Sequence, residues 1–435
     1  MSELAFFDMP EVTELQLEKQ KLAKENWEKL NTPKKTYANE SALASQTDQC
    51  FDFEKMKTEM LDNLNWLKSL SVEEYTFRKK WEEMKEMKDK LTESGVIKAR
   101  IWSPKDLNDE SLTIKEIEEL NPVMKVIVTP DEIEMWSTLR VCCHSAEHQQ
   151  PPGRYIKFIL VDDNTGKILG FSAIASDLPS ISCRDEYIGW SKEDREKNKE
   201  EDGPILHSAV ATTIASTQPL GYNFLGGKLV AIMMTSPVVR DAWTNKYNDV
   251  LVGMTTTSLY GPESMYNGIK KWWRGVGVSM GKMPIQPSFD IYKVWHDWLK
   301  QNNTDEYLKK MTQKEGVAGP VTSAKARVLS MISKTLRIKN SDYCHGFQRG
   351  VYYSTFYENA REFLCGKIPE DKLVMKLLVA EGNKAIIDWW KPKAIKRYQK
   401  LKLENRLNPD KLFYNVIGDM KYEDAKSKYF GAVGR

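Results

Sequence analysis

Apolar residues recur at three and four along the charged stretch Glu11 to Leu91, as in Met56, Met60, Leu64, Leu67 and Leu70, and no glycine interrupts it. That spacing predicts helices. Glu and Lys alternate around Trp81 to Lys90, the pattern of a solvated helix face that can also serve as a partner-binding arm. Ser94-Gly95 is a stop and Trp102-Ser-Pro a connector. From Met124 the period shortens. Met124 to Val128 is a β-branched strand, and Thr129-Pro130-Asp131-Glu132 combines a hydroxyl cap, a first-turn proline and acids against the helix dipole, so a helix follows to about Ser145. Tyr155 to Asp162 and Lys167 to Ala175, joined by Asp163-Asn164-Thr165-Gly166, read as a β-hairpin.

Leu178 to Asp202 is a polar insertion, followed by a buried strand, Ile205 to Ser216. Gly221 to Lys228 opens a helix that restarts at Ser236-Pro237 and continues to about Tyr247. Asp249 to Thr256 reads as a strand and Glu263 to Arg274 as a helix ending at Gly275 and Gly277. This alternation predicts an α+β fold with a mixed sheet covered by helices. Helical patterns return at Asp290 to Leu299 and Ala324 to Leu336, Tyr343 to Tyr357 is strand-like in part, and Lys372 to Tyr398 is helical and rich in Lys, Arg and Trp.

The length of 435 residues exceeds what one hydrophobic core usually serves. The pattern divides it into a helical extension at 1–100, a connector at 101–122, a core at 123–283 and a mostly helical region at 284–435. A hydrophobic fraction of 41% with 29% charged residues is that of a globular chain, which argues against global disorder. No apolar run approaches the roughly 18 to 20 residues of a membrane span, and Met1 to Pro10 lacks a signal pattern, so a cytoplasmic protein is expected. The 6 cysteines form no disulfide framework. Cys142, Cys143, His144 and His148 lie close together, but no second ligand pair follows, and no metal site is expected. A net charge of +3 means that any basic surface is local.

Two local mixtures of cations and aromatics stand out. Lys270, Lys271 and Arg274 flank Trp272 and Trp273, while Trp389 and Trp390 precede Lys393, Lys396 and Arg397. Cations suit phosphates and aromatic faces suit bases, so DNA is the expected partner. The glycine-rich turn before Lys228 offers backbone N–H groups at the positive end of a helix dipole, which suits a pyrophosphate, although it is neither a Walker A loop nor Gly-x-Gly-x-x-Gly.

The hairpin, strand, glycine loop with its helix, strand and last helix follow the order of the GNAT acyltransferases, which this chain resembles. That resemblance implies that Gly226, Gly227 and Lys228 hold acetyl-CoA or a related acyl-CoA, and that Tyr266 protonates the departing thiolate. A closer resemblance rests on Gly166-Lys167-Ile168-Leu169-Gly170, on Arg184-Asp185-x-Tyr187-Ile188-Gly189-Trp190-Ser191, and on Tyr266 to Gly281, with echoes at His345 to Tyr352 and Arg361-Glu362-Phe363-Leu364. These segments are similar to the DruA proteins of the Druantia anti-phage system, near the Mom DNA-modifying proteins. The resemblance implies a phage or mobile-element protein that modifies a DNA base, with Trp190 and Tyr187 beside an extruded base. Where Mom proteins carry an acid this chain has Thr255 to Ser258, so an acid or base has to come from Asp185, Glu186 or His207. That same departure supports the rival reading, a non-catalytic DNA-binding or defence protein using the fold as a scaffold. In either reading the N-terminal helices can dock other phage or defence proteins.

Overall fold

The computed structural model describes residues 51–86, 99–144, 146–147, 151, 153–198, 203–258, 264–279, 282–311, 324–346, 348–409 and 420–432. The expected helical pattern from Glu11 up to residue 50, the Ser94-Gly95 stop and His148 lie outside the described residues. Two units divide the chain, Met1–Phe53 and Glu54–Arg435. The sheets and every contact given below belong to the second.

Helices α1 (Phe53–Ser69), α2 (Val72–Glu86), α3 (Glu110–Glu119) and α4 (Pro130–Cys143) precede or flank the first strands, and α5 (Ser182–Ile188), α6 (Gly226–Met233) and α7 (Pro237–Tyr247) connect the next ones. Strands β1 (Pro122–Val126), β2 (Tyr155–Asp162), β3 (Ile168–Ser176), β4 (Ser208–Ser216), β5 (Gly253–Ser258), β6 (Arg274–Ser279) and β9 (Arg349–Thr355) form one sheet in the order β1-β2-β3-β4-β5-β9-β6. Strands β7 (Lys282–Pro284) and β8 (Cys344–Gly346) make a separate ribbon. The chain closes on α8 (Phe289–Asn302), α9 (Ala324–Leu336) and α10 (Asn383–Leu403), with shorter helices between them and Tyr422–Ala432 after them. Among the described residues no helix is long and apolar enough to cross a membrane.

The first four strands are antiparallel, β4 and β5 are parallel, and β9 is antiparallel to both β5 and β6. The sheet therefore extends past the 123–283 span and takes an interior strand, next to its β6 edge, from Arg349–Thr355. The hairpin lies where the Asp163 to Gly166 turn placed it. Asp162 accepts hydrogen bonds at one carboxylate oxygen from the Thr165 N–H at 3.1 Å and at the other from the Asn121 N–H at 2.7 Å, and Gly166 supplies the positive φ of 68° that the turn requires.

The α4 start is the expected cap: the Thr129 hydroxyl accepts from the Glu132 N–H, and the Glu132 carboxylate accepts from the Thr129 N–H. This helix presses Trp136, fully buried, onto one sheet face, where its indole N–H reaches the Ser172 carbonyl at 3.1 Å. On the opposite face α6 buries Leu229, Val230, Ile232 and Met233. A helical lobe joins α1 and α2 to α8. There the Asn63 amide donates to the Ser288 hydroxyl, the Lys79 ammonium to the Pro287 carbonyl and the Trp295 indole to the Met56 carbonyl.

The Glu263 to Arg274 segment departs from expectation. Its described part is a series of turns, and Arg274 opens β6 rather than closing a helix. Asn267-Gly268 is turn chemistry, with Gly268 at φ 81°, and Trp272 and Trp273 are core residues whose spacing also fits a helix face.

Candidate functional site

Cross-strand register decides which groups meet. Side chains alternate between faces along a strand, and directly paired residues share a face. Val210 pairs with Thr255, Thr255 with Tyr353, and Tyr353 with Arg274, so the last three line one row on one face. Ser208, two residues before Val210, faces the same way and pairs with Gly253. The Tyr353 ring lies over Gly253, where any Cβ would overlap its hydroxyl, so the missing side chain is what admits the ring.

Into this row α5 brings a closed polar cluster. The Asp177 carboxylate accepts from the Ser208 hydroxyl at 2.6 Å and the Thr255 hydroxyl at 2.8 Å, and its other oxygen faces an Arg184 terminal nitrogen at 2.8 Å. Arg184 also donates from Nε and its second terminal nitrogen to Asp185 at 2.9 and 2.6 Å, and Asp185 accepts from the Ser180 hydroxyl and the Ile181 N–H. All three charged side chains are 0% exposed, so the cluster holds two carboxylates against one guanidinium out of water. Burial works against the Arg184 charge, but Asp177 and Asp185 outweigh it and hold the proton more tightly than usual. The Tyr353 hydroxyl lies 3.4 Å from Ser208, and burial raises its pKa far above the ordinary phenol value.

The loop after α5 ties this cluster to Ala360–Leu364. Gly189, at φ 96°, ends the helix, and Trp190 turns inward so that its indole N–H meets the Leu364 carbonyl at 2.8 Å. Arg361 donates to the Ile188 carbonyl at 3.3 Å. Tyr187, half-buried, sits edge-on to Tyr353 at 5.9 Å, with the guanidinium carbons of Arg274 and Arg361 at 5.2 and 5.1 Å from its ring centre.

The other face holds a different set. Thr256 points away from Thr255, and its hydroxyl lies 3.2 Å from that of Tyr266. Tyr266 packs against Tyr352 and Trp273 and is 3% exposed, and burial pushes its phenol well above the usual range. Trp273 anchors this turn to α6 through the Ala231 carbonyl at 2.7 Å. Gly226 is buried so closely that a Cβ would stand 2.9 Å from Leu220, Gly227 faces Met265, and the Lys228 ammonium, deprotonated more easily because of burial, bonds to the Asn267 carbonyl. The sheet thus brings Gly226, Gly227, Lys228 and Tyr266 together, and separates them from Asp185 on the opposite face. Glu186, next to Asp185, is exposed, and His207 holds the Val250 carbonyl at 3.0 Å against Phe363.

The two basic aromatic segments also meet on this second face. Trp272, buried, contacts half-buried Trp389 edge-on at 5.0 Å, and Trp390, fully buried, donates to the Phe224 and Leu225 carbonyls at 3.0 and 3.3 Å. Trp390 thus clamps α10 to the start of α6, and its ring offers no open face to a base. Lys393 lies 4.6 Å over Trp389, and Arg397 5.1 Å over Tyr222. Lys270, Lys271, Lys393 and Lys396 are exposed and carry no ion pair among the described residues, whereas Lys400 and Lys402 face Glu404 and Glu110. Trp190 is 3% exposed on the far side of the sheet from this surface, under Arg184.

Sequence reasoning missed Asp177, Ser208, Gly253, Tyr353 and the role of Arg361. Arg361 carried a signal, the Arg361 to Leu364 echo. A carboxylate directly after an apolar strand was the trace available for Asp177. Among the described residues no cluster of His, Cys, Asp and Glu could hold a metal ion. The Cys142 thiol is pushed up to about 12, chiefly by burial.

The family described as Druantia protein DruA matches residues 71–366. That span includes the Arg184 to Trp190 segment, Tyr266, Lys270, Lys271, Arg274 and Arg361, and ends before α10. Druantia protein DruA of Escherichia coli (strain UMEA 4076-1) is 24% identical over 265 residues, 56% of this chain and 61% of that protein. The chain therefore matches less than two thirds of that relative's length. No solved structure matches.

Proposed function

This chain belongs to the Druantia protein DruA family, and from that premise we propose that it acts in anti-phage defence as a DNA-binding protein, with the mixed sheet as its scaffold. The observation that carries this reading is the Trp272 and Trp389 contact. It brings together two cationic segments more than a hundred residues apart, with four exposed lysines that pair with no carboxylate among the described residues. On α10 Trp389, Lys393, Lys396 and Arg397 follow one helix stripe, and the rise from 389 to 396 is roughly 10 Å, enough to reach successive phosphates.

Binding through phosphates releases counterions, so affinity falls with salt at a slope of about 0.9 per phosphate neutralised. The expected result is steep salt dependence for the wild-type protein in fluorescence anisotropy with duplex DNA. Combining Lys270→Ala, Lys271→Ala, Lys393→Ala and Lys396→Ala should reduce that slope by about 3 to 4. An unchanged slope would remove this surface from the proposal.

One observation favours a transferase of the GNAT or Mom type. The parallel β4 and β5 strands pair only from Ser208 to Val210 and from Gly253 to Thr255, and α6 starts beyond that opening with Lys228 and Tyr266 nearby. Groups in that place suit an acyl-CoA donor, Gly227 and Lys228 supplying donors to its phosphates. Weighing against it, the Tyr266 hydroxyl is enclosed with Thr256 and Gly226 is filled by Leu220, so neither reaches a donor without rearrangement. The scaffold reading needs no such rearrangement.

A further inference from the structure

On the face of the sheet opposite the lysine surface, two exposed arginines converge on one tyrosine. The Arg274 and Arg361 guanidinium carbons lie 5.2 and 5.1 Å from the Tyr187 ring centre, so two positive charges border one aromatic ring. Neither forms an ion pair with a carboxylate among the described residues, although Glu186 and Glu362 are each adjacent in sequence to a member of the trio and exposed. Arg361 commits its Nε–H to the Ile188 carbonyl, and among the described residues neither its terminal nitrogens nor the Arg274 guanidinium donates a hydrogen bond.

The position of both arginines is built rather than loose. The Arg274 backbone is set by its pairing with Tyr353 at the start of β6, and the Arg361 side chain is held by its bond to the Ile188 carbonyl. Beneath them the Asp177, Arg184 and Asp185 cluster carries a surplus of one negative charge, which offsets part of their repulsion but lies wholly inside. Gly275 leaves the backbone beside Arg274 exposed and uncrowded, with Tyr352 no nearer than 3.6 Å to its missing side chain. Guanidinium groups present planar pairs of donors that match phosphate oxygens, and two of them suit a dianion better than a single carboxylate.

We propose that Arg274, Arg361 and Tyr187 form a phosphate-binding site, distinct from the lysine surface and taking a phosphate group carried by a nucleotide or by nucleic acid. Inorganic pyrophosphate is the probe, titrated calorimetrically at low salt into the full chain. The wild-type protein should bind it. Arg274→Gln should weaken that binding at least about tenfold with the melting temperature unchanged, and Arg274→Lys, which keeps charge but not the paired donors, should restore only part of it.

Combined replacement of the four surface lysines should leave pyrophosphate binding intact, which separates this site from the DNA surface. Competition between pyrophosphate and DNA assigns the site to nucleic-acid phosphate, and simultaneous binding of both assigns it to a free nucleotide phosphate. No pyrophosphate binding by the wild-type protein, or equal binding by Arg274→Gln, would overturn the proposal.

Discussion

Replacing Arg184 by leucine is expected to destabilise the fold by about 3 to 5 kcal/mol, because it leaves two buried carboxylates without a cation. Asp177 would retain the Ser208 and Thr255 hydroxyls and the Leu178 N–H, and Asp185 the Ser180 hydroxyl and Ile181 N–H. Those neutral donors soften the loss without replacing a full charge. Denaturant titration measures it as a shift in midpoint at unchanged slope. Removing all three charges together, as Asp177→Asn, Arg184→Leu and Asp185→Asn, should cost less than removing the arginine alone, because no uncompensated charge stays behind. A loss below about 1 kcal/mol for Arg184→Leu would mean that water reaches the cluster.

A loss of similar size is expected from Trp390→Ala. The side chain is fully buried between α10 and the turn that opens α6, and removing a buried tryptophan of this kind costs about 3 to 5 kcal/mol. It also strips the Phe224 and Leu225 carbonyls of their indole donor. Because α10 carries Trp389, Lys393 and Lys396, DNA affinity should fall together with stability. Trp390→Phe, which fills most of the volume but lacks the N–H, should lose only about 1 to 3 kcal/mol. Denaturation and DNA binding measured on both variants separate packing from the hydrogen bond. Wild-type DNA affinity in Trp390→Ala would show that the α10 cations are not part of the surface.

Local signals served where local chemistry decides the structure. The Asp163 to Gly166 turn, the Thr129 and Glu132 cap and the apolar runs of β2 and β3 were legible because each rests on a few neighbouring residues. The Glu263 to Arg274 helix was not, since two buried tryptophans fit either a helix stripe or a turn followed by a strand. Only Gly268, Gly275 and Gly277 argued for the latter. The pairing of β9 between β5 and β6 is non-local and left no mark in the periodicity of either partner.

The same distinction governs the candidate site. Arg184 and Asp185 stood in a polar insertion that reads as surface, and what buries them is the register that aligns Ser208, Thr255 and Tyr353 on one face. That register also parts Asp185 from Tyr266, which spacing along the chain had left free to meet. Both basic segments were visible from composition. Their union through Trp272 and Trp389 depends on α10 folding back over α6, a matter of tertiary packing.

The most direct test of the central claim is where the protein touches DNA. Ultraviolet cross-linking of the full chain to duplex DNA at low salt, followed by peptide mass spectrometry, should place adducts in the Tyr266 to Arg274 turn and on α10 around Trp389 and Lys393. Adducts confined to α1, α2 or α8, with none on those two segments, would contradict the account.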